Sequence, residues 1–515
     1  MSIPNIFRAR YTPFIGGKFV QSAAESIAIR SPASGDFLTT VDSTSPEQAT
    51  DAITRANAVF EDGIWSQASV QHRASVLSRL AIKLQERVPD FAAMESLQTG
   101  RTIREMKTQL GRLPEWLHYY AALLRTKPQG TIAPTQGQVV CYTTQVPLGV
   151  CVQITPFNHP LLIAVKKIGP ALAAGNSVLV KPSELAPVTV LELAEMAVDA
   201  GLPPDVLQVV PGEGRGLVPH LIDNTYVKKV DITAGTATGR AIGEVVGRNL
   251  AHYTAELGGK APALVFADAD LETAVNGVTF ASFIASGQTC VSGTRIIVHE
   301  SIFEGFLSSF MNKVASITRR IGHPMNPQSA MGPVISWRQL ERLEHMLAST
   351  NGHIICGGQR MTGKSVLDGH DLSSGSYLAP TVVRDVQTDD ILWQEECFGP
   401  VVVVVPFKDE TDGIRLANAS KYGLGSSIWT QDLGTAHRVA GKLEHGLVWV
   451  NTAHRNDPSS PWGGMKESGI GRENGVEALE SYSQSKTILM NIATPEYSKA
   501  SEDWFSESSS NVRYG

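Results

Sequence analysis

Cysteine is scarce and scattered: the 515 residues hold five, at positions 141, 151, 290, 356 and 397. None falls in a CxxC spacing or beside histidines at ligand spacing, which argues against a disulfide framework or a metal centre and for a reducing, cytoplasmic compartment. No stretch reaches the roughly 18 apolar residues that a membrane span needs, and the opening MSIPNIFRARYTPF lacks the apolar core of a secretion signal. Charge of one sign is missing too. A formal charge of -6 without any block of like charges leaves no footprint for nucleic acid. Repeats are absent, and the one low-complexity stretch is the Ser- and Glu-rich tail from Ser501 to Ser510, read as mobile. With 42% hydrophobic and 18% charged residues, the rest reads as a soluble globular protein of two or three domains that takes a small neutral or anionic partner.

Ser45-Pro46-Glu47-Gln48 predicts a capped helix start, with Ile53, Ala56 and Phe60 facing inward. Val76, Leu77, Leu80, Ala81 and Leu84 recur at the helical period and predict a packing helix. Five short apolar runs, Val150 to Ile154, Ser177 to Val180, Val206 to Val210, Ala263 to Phe266 and Val401 to Val405, read as strands buried on both faces. Several alternate with helical stretches such as Val188 to Ala200, the pattern of an α/β fold with a doubly wound parallel sheet. Gly130 to Pro147 is β-rich and reads as an arm or hairpin.

Glu256-Leu257-Gly258-Gly259-Lys260 and Gly287-Gln288-Thr289-Cys290 offer a carboxylate base and a thiol nucleophile to one reaction. A free thiol, with a pKa of about 8.5, needs its site to make it a thiolate. Taken singly, each residue has a plainer reading, a small buried hydrophobe and an exposed helix-end charge. Lys181-Pro182-Ser183-Glu184 follows an apolar strand, where α/β sheets bind nucleotides, and a carboxylate at 184 repels a 2'-phosphate and favours NAD over NADP. Thr233-Ala234-Gly235-Thr236-Ala237-Thr238-Gly239 is a small-residue strand-to-helix turn that lets backbone N-H groups approach a phosphate. Pro211 to Gly216 reads as a mainly structural turn. Asn158, held in Thr155-Pro156-Phe157-Asn158-His159-Pro160, can donate to a developing alkoxide.

Together with Glu395-Glu396-Cys397-Phe398-Gly399-Pro400 and Pro461-Trp462-Gly463-Gly464-Met465-Lys466-Glu467-Ser468-Gly469, these motifs occur in an order that closely resembles the NAD(P)-dependent aldehyde dehydrogenase superfamily, from Phe14 to Tyr482. The resemblance implies a Rossmann-like NAD-binding domain at 1–129 and 148–257, an α/β catalytic domain at 258–458, and an oligomerisation arm and tail at 130–147 and 475–515. It implies that Cys290 is the nucleophile, that Glu256 is the base for a hydrolytic water, and that Asn158 and the Cys290 N-H form an oxyanion hole. It assigns cofactor contacts to Ile154, Thr155, Pro156, Phe157, Lys181, Ser183, Glu184, Gly214, Gly235, Thr236, Gly239, Leu257, Glu396 and Phe398. The departures are Phe157 for a common Trp, Ala234 for a Gly, and Trp462 for a Phe that lines the substrate tunnel. Ala234 puts cofactor affinity in question, with Gly235 expected to supply the backbone freedom.

The implied reaction is NAD-dependent oxidation of an aldehyde to its acid through a thiohemiacetal and a thioester, without metal. The implied tunnel residues are His159, Leu162, Lys166, Ile284, Thr289, His454, Arg455, Asn456 and Trp462. Lys166 and Arg455 suggest an aldehyde with a remote oxygen or carboxylate, or a hydroxylated aromatic one; the alternative puts both at the solvent mouth. Rival readings are a CoA-acylating semialdehyde dehydrogenase, which commonly lacks the Glu256 equivalent, a thioester-handling enzyme, and a catalytically retired binding protein. The β-rich segments Thr131 to Pro147 and Ser481 to Asn491 imply a homodimer or homotetramer.

Overall fold

Residues 6–135, 138–505 and 507 are described by a computed structural model of the chain. The five apolar runs are strands, at Val150–Ile154, Ser177–Lys181, Leu207–Val209, Ala261–Val265 and Val401–Phe407. The first four are buried along their whole length, which is why they read as continuous apolar runs and not as alternating ones. The first three lie in an eight-stranded sheet of order Gly469–Ile470, His252–Glu256, Val227–Thr233, Val150–Ile154, Ser177–Lys181, Leu207–Val209, Phe14–Ile15, Lys18–Phe19. Its five central strands are parallel, and antiparallel strands close both edges. The chain runs outward from Val150–Ile154 in one direction and then returns to its other side at Val227–Thr233. That reversal is a topological switch point, where loops diverge and open a crevice.

A second sheet has seven strands in the order His353–Cys356, Thr381–Arg384, Val401–Phe407, Gly293–His299, Ala261–Val265, Gly425–Trp429, Leu447–Val450. All pairs are parallel except that of His353–Cys356. Gly469–Ile470 lies beyond the 258–458 segment yet pairs with His252–Glu256, so the late chain returns to the first sheet. A separate three-stranded sheet joins Ile132–Ala133, Val139–Pro147 and Ser483–Asn491, the last two pairing over nine residues. Its third strand starts at Ser483, because Gly475–Ser481 is helical.

The Pro46–Glu61 helix carries the expected reciprocal cap between Ser45 and Gln48, worth about 1 kcal/mol. Its buried stripe includes Ile53 and Ala56, but Val59 takes the inward place expected of Phe60, which is half-buried. The Val70–Thr99 helix buries Val76, Leu77, Leu80, Ala81 and Leu84. The tail expected to be mobile from Ser501 instead begins inside the Pro495–Glu502 helix; residues 506 and 508–510 of that stretch lie outside the described residues.

Candidate active site

Strand ends position the motif residues. Glu256 closes His252–Glu256, Lys181 closes Ser177–Lys181, and Asn158 sits between Val150–Ile154 and the Pro160–Ala174 helix. Cys290 lies on the loop entering Gly293–His299 of the second sheet. That loop is tightly constrained, with Ala285, Ser286 and Gly287 in succession at φ values of 54°, 57° and 70°. Non-glycine residues persist in that region only when their surroundings over-determine them. Here Ser286 Oγ donates to the Gly332 carbonyl at 2.9 Å, Ile335 N-H donates to Gln288 Oε1 at 2.9 Å, and Asn158 Nδ2 donates to the Gln288 carbonyl at 2.8 Å.

The glycines of the motifs make the close approaches possible. A Cβ on Gly259 would stand 2.0 Å from the Cys290 carbonyl oxygen, and one on Gly287 would stand 2.1 Å from that of Gly399. The Glu256 and Cys290 motifs, separate in sequence, therefore pack backbone on backbone. The Cys290 N-H has no acceptor among the described residues.

A cavity of about 840 Å³ is lined by Cys290, Glu256 and all nine residues expected to form the tunnel. Asn158 is buried beside the loop that carries Cys290; one N-H of its amide donates to the Gln288 carbonyl of that loop, and the other has no acceptor among the described residues. Trp116, Phe280 and Trp462 add an aromatic wall. His454 Nε2 donates to the Val291 carbonyl at 3.0 Å, and burial holds the pKa of its ring down to about 4.

Lys166 departs from expectation. It lines the cavity but is only 2% exposed, pairs with Glu473 at 2.6 Å and lies over the Trp462 ring at 4.7 Å. It is neither at a solvent mouth nor free to meet a substrate anion; Arg455 is exposed at the rim. Glu473 also holds Lys167 at 2.6 Å, and Lys167 reaches Asp231. Burial alone raises the Glu473 carboxyl, but the two lysines outweigh it and hold it down to about 2. Glu473 and the buried Arg101 were missed in the sequence, where an acid after a glycine-rich turn and a basic residue after a helix-ending glycine look unexceptional.

Both oxygens of Glu256 are buried without a hydrogen-bond partner among the described residues. Burial, with the Glu473 charge second, pushes its carboxyl well above the ordinary range. Burial also pushes the Cys290 thiol up to about 12, aided by Glu396 and Glu256.

The expected cofactor residues surround the switch point. Lys181 Nζ binds Glu184 at 3.1 Å and stands 3.9 Å from where a Cβ of Gly214 would lie. Ser183 Oγ accepts from Leu185 N-H, and Thr155 N-H donates to the Lys181 carbonyl at 3.1 Å. Thr236 opens the Thr236–Arg248 helix behind Gly235, with no side chain capping its N-H groups. Gly235 has φ -68°, so it does not supply the backbone freedom expected to offset Ala234; it leaves open space, since a Cβ there meets nothing within 4 Å. Gly239 is packed under Leu257, and a Cβ on it would be 2.3 Å from that side chain. Ile154 and Pro156 flank Thr155 at the strand end. Phe157 and Phe398 meet edge to face at 5.7 Å, and Glu396 Oε1 accepts the Gly259 N-H at 2.9 Å.

The sequence profile of the Aldehyde dehydrogenase family matches residues 19–488. A phenylacetaldehyde dehydrogenase of Pseudomonas fluorescens is 37% identical over 502 residues, 95% of this chain and 98% of the relative. A crystal structure of betaine aldehyde dehydrogenase from Staphylococcus aureus in complex with NAD+ superposes with a TM-score of 0.92 at 34% identity, over 96% of this chain and 97% of that one. A second NAD+ complex of that enzyme gives a TM-score of 0.92 at 35% identity, over the same shares. Likeness of this extent, in sequence and in fold, means that the chain belongs to the aldehyde dehydrogenase family.

Proposed function

We propose that this protein oxidises an aromatic or arylalkyl aldehyde to its carboxylic acid with NAD, through a thioester on Cys290. The observation that carries the reading is one cavity faced by the Cys290 thiol and the Glu256 carboxyl, with the Asn158 amide tied to the loop of the cysteine. The aromatic wall suits a ring, and the phenylacetaldehyde dehydrogenase relative points the same way. Exposed, cationic Arg104 and Arg455 at the rim disfavour a cationic aldehyde such as betaine aldehyde.

The crevice residues fit a dinucleotide. The uncapped helix start behind Gly235 offers N-H groups to a pyrophosphate, Lys181 and Glu184 offer a hydrogen-bonding pair to a ribose, and Glu396 does so near Cys290. NAD, when bound, supplies the two-electron acceptor that takes the thiohemiacetal to the thioester level. The protein supplies the rest. The Cys290 thiolate adds to the carbonyl carbon, and the developing oxyanion accepts from the second Asn158 N-H and the Cys290 N-H. Glu256, once ionised, takes a proton from water as that water adds to the thioester. The C-S bond then breaks, the acid leaves and the thiol re-forms.

The product decides between this reading and its rivals. With NAD and coenzyme A both supplied, the acid accumulates and acyl-CoA does not, and Glu256→Gln slows turnover by about 100 to 10,000-fold. Accumulation of acyl-CoA, or a Glu256→Gln enzyme as fast as wild type, contradicts it.

We further propose that the exposed edge strand Ser483–Asn491, on which Leu489 is 67% exposed, joins subunits into a homodimer or homotetramer. Leu489→Asp lowers the mass measured by light scattering if so. No helix among the described residues is long and apolar enough to cross a membrane. Five free cysteines support a place in the reducing cytosol, checked by recovery of the protein in that fraction.

A further inference from the structure

Arg101 is a charged group in the cavity wall that the reaction above leaves unused. It follows the left-handed Gly100 that ends the long Val70–Thr99 helix, and Ser96 Oγ donates to its carbonyl at 2.7 Å, which fixes its backbone. The side chain is 4% exposed. Its Nε donates to Glu105 at 3.1 Å, and its Nη1 donates to Gln109 Oε1 at 2.9 Å, to His159 Nδ1 at 2.6 Å and, at 3.4 Å, to the Asn158 carbonyl. Nη2 has no acceptor among the described residues. A buried guanidinium with donors to spare is stabilised by anything that brings an acceptor, and Arg101 lines the cavity read above as the aldehyde site.

His159 presents a second donor to the same space. Because Nδ1 accepts from Arg101, the hydrogen-bond network assigns the ring hydrogen to Nε2, which has no partner among the described residues. Burial, followed by the Arg101 charge, keeps the ring neutral, so it donates without adding charge.

The electrostatic balance selects the kind of acceptor. Glu105 shares the charge of Arg101 and Glu473 is taken by two lysines, which leaves Glu256 as the one acidic cavity residue without an ion pair among the described residues. Arg104 and Arg455 are exposed cavity residues without ion pairs among the described residues. The uncompensated charge around the cavity is therefore positive, which draws in an anion. Trp116, Phe280 and Trp462 supply the flat apolar surface for the body of the molecule.

We propose that Arg101 Nη2 and His159 Nε2-H form an anchoring subsite for a carboxylate on the aldehyde substrate, remote from the carbonyl that Cys290 attacks. The subsite rests on the reading of this cavity as the aldehyde site. The substrate class is then an aldehyde acid with an aromatic body, one carboxylate oxygen meeting the guanidinium and the other the imidazole.

The test compares 4-formylbenzoate with its methyl ester, which keeps the ring and the aldehyde and removes the charge. NADH formation gives kcat/KM for each, and their ratio on one protein sample cancels any general loss of activity. Wild type is expected to favour the carboxylate by about tenfold or more, the scale of a charge-assisted hydrogen bond. Arg101→Gln brings the ratio towards one by raising KM for the carboxylate, and His159→Leu lowers it in the same direction. Equal or better use of the ester by wild type overturns the subsite, whether or not either variant folds. So does a ratio that Arg101→Gln leaves unchanged. NADH from the ester with no preference for the acid overturns the subsite alone; NADH from neither aldehyde overturns the reaction with it.

Discussion

Glu256 and Cys290 both sit where burial favours the neutral form, and their charges oppose one another. A thiol raised to about 12 is almost wholly protonated at neutral pH. Each unit of rising pH below that value increases its thiolate fraction about tenfold. In the free enzyme, alkylation of Cys290 by iodoacetamide is therefore expected to accelerate about tenfold per unit between pH 7 and pH 9. A rate that levels off near neutrality contradicts the placement of the thiol. At this scale the sequence was most legible where chemistry clusters in short motifs: it singled out Cys290 and Glu256, which the fold brings to one cavity. It was least legible where a side chain's meaning lies in a distant partner. Lys166 read as a free cation because nothing near it in the chain announces Glu473, and Arg101 went unseen because its partners Gln109 and His159 come from two other elements.

The loop from Ile284 to Cys290 shows what an element must give up to hold a thiol at the cavity. Left-handed conformations at Ala285 and Ser286 cost roughly 1–3 kcal/mol each, offset by the hydrogen bonds that clamp the loop. Gly287→Ala adds a Cβ 2.1 Å from the Gly399 carbonyl oxygen in a left-handed residue. Its expected effect is a fall in kcat of about 100-fold, the scale of a 1 Å misplacement, and a lower melting temperature. Gly235→Ala, with φ -68° and open space, is expected to melt like wild type. Scanning calorimetry beside the activity assay checks both, and equal behaviour of the two variants contradicts the packing argument. The strands were readable from composition because parallel strands are buried on both faces. The strained loop was not, since alanine and serine carry no signal of a positive φ, and the helix at Pro495–Glu502 was hidden by the polar composition of the tail.

For the whole molecule, two sheets with parallel centres meet around the cavity. The first carries Glu256, Lys181 and the approach to Asn158 at its strand ends, and the second supplies the Cys290 loop. The α/β class and the doubly wound sheet were legible from alternating elements. The return of Gly469–Ile470 to the first sheet was not, because two-residue edge strands leave no periodic trace. The central claim is that these parts meet to oxidise an aldehyde through Cys290. It is tested by following NADH at 340 nm with phenylacetaldehyde and 4-formylbenzoate, with NAD and then NADP, for wild type and Cys290→Ala. The account predicts NADH and an equal amount of acid from wild type, faster with NAD than with NADP, and a loss of at least about 1000-fold in the variant. Undiminished NADH formation by Cys290→Ala, or none from folded wild type with either aldehyde, would contradict it.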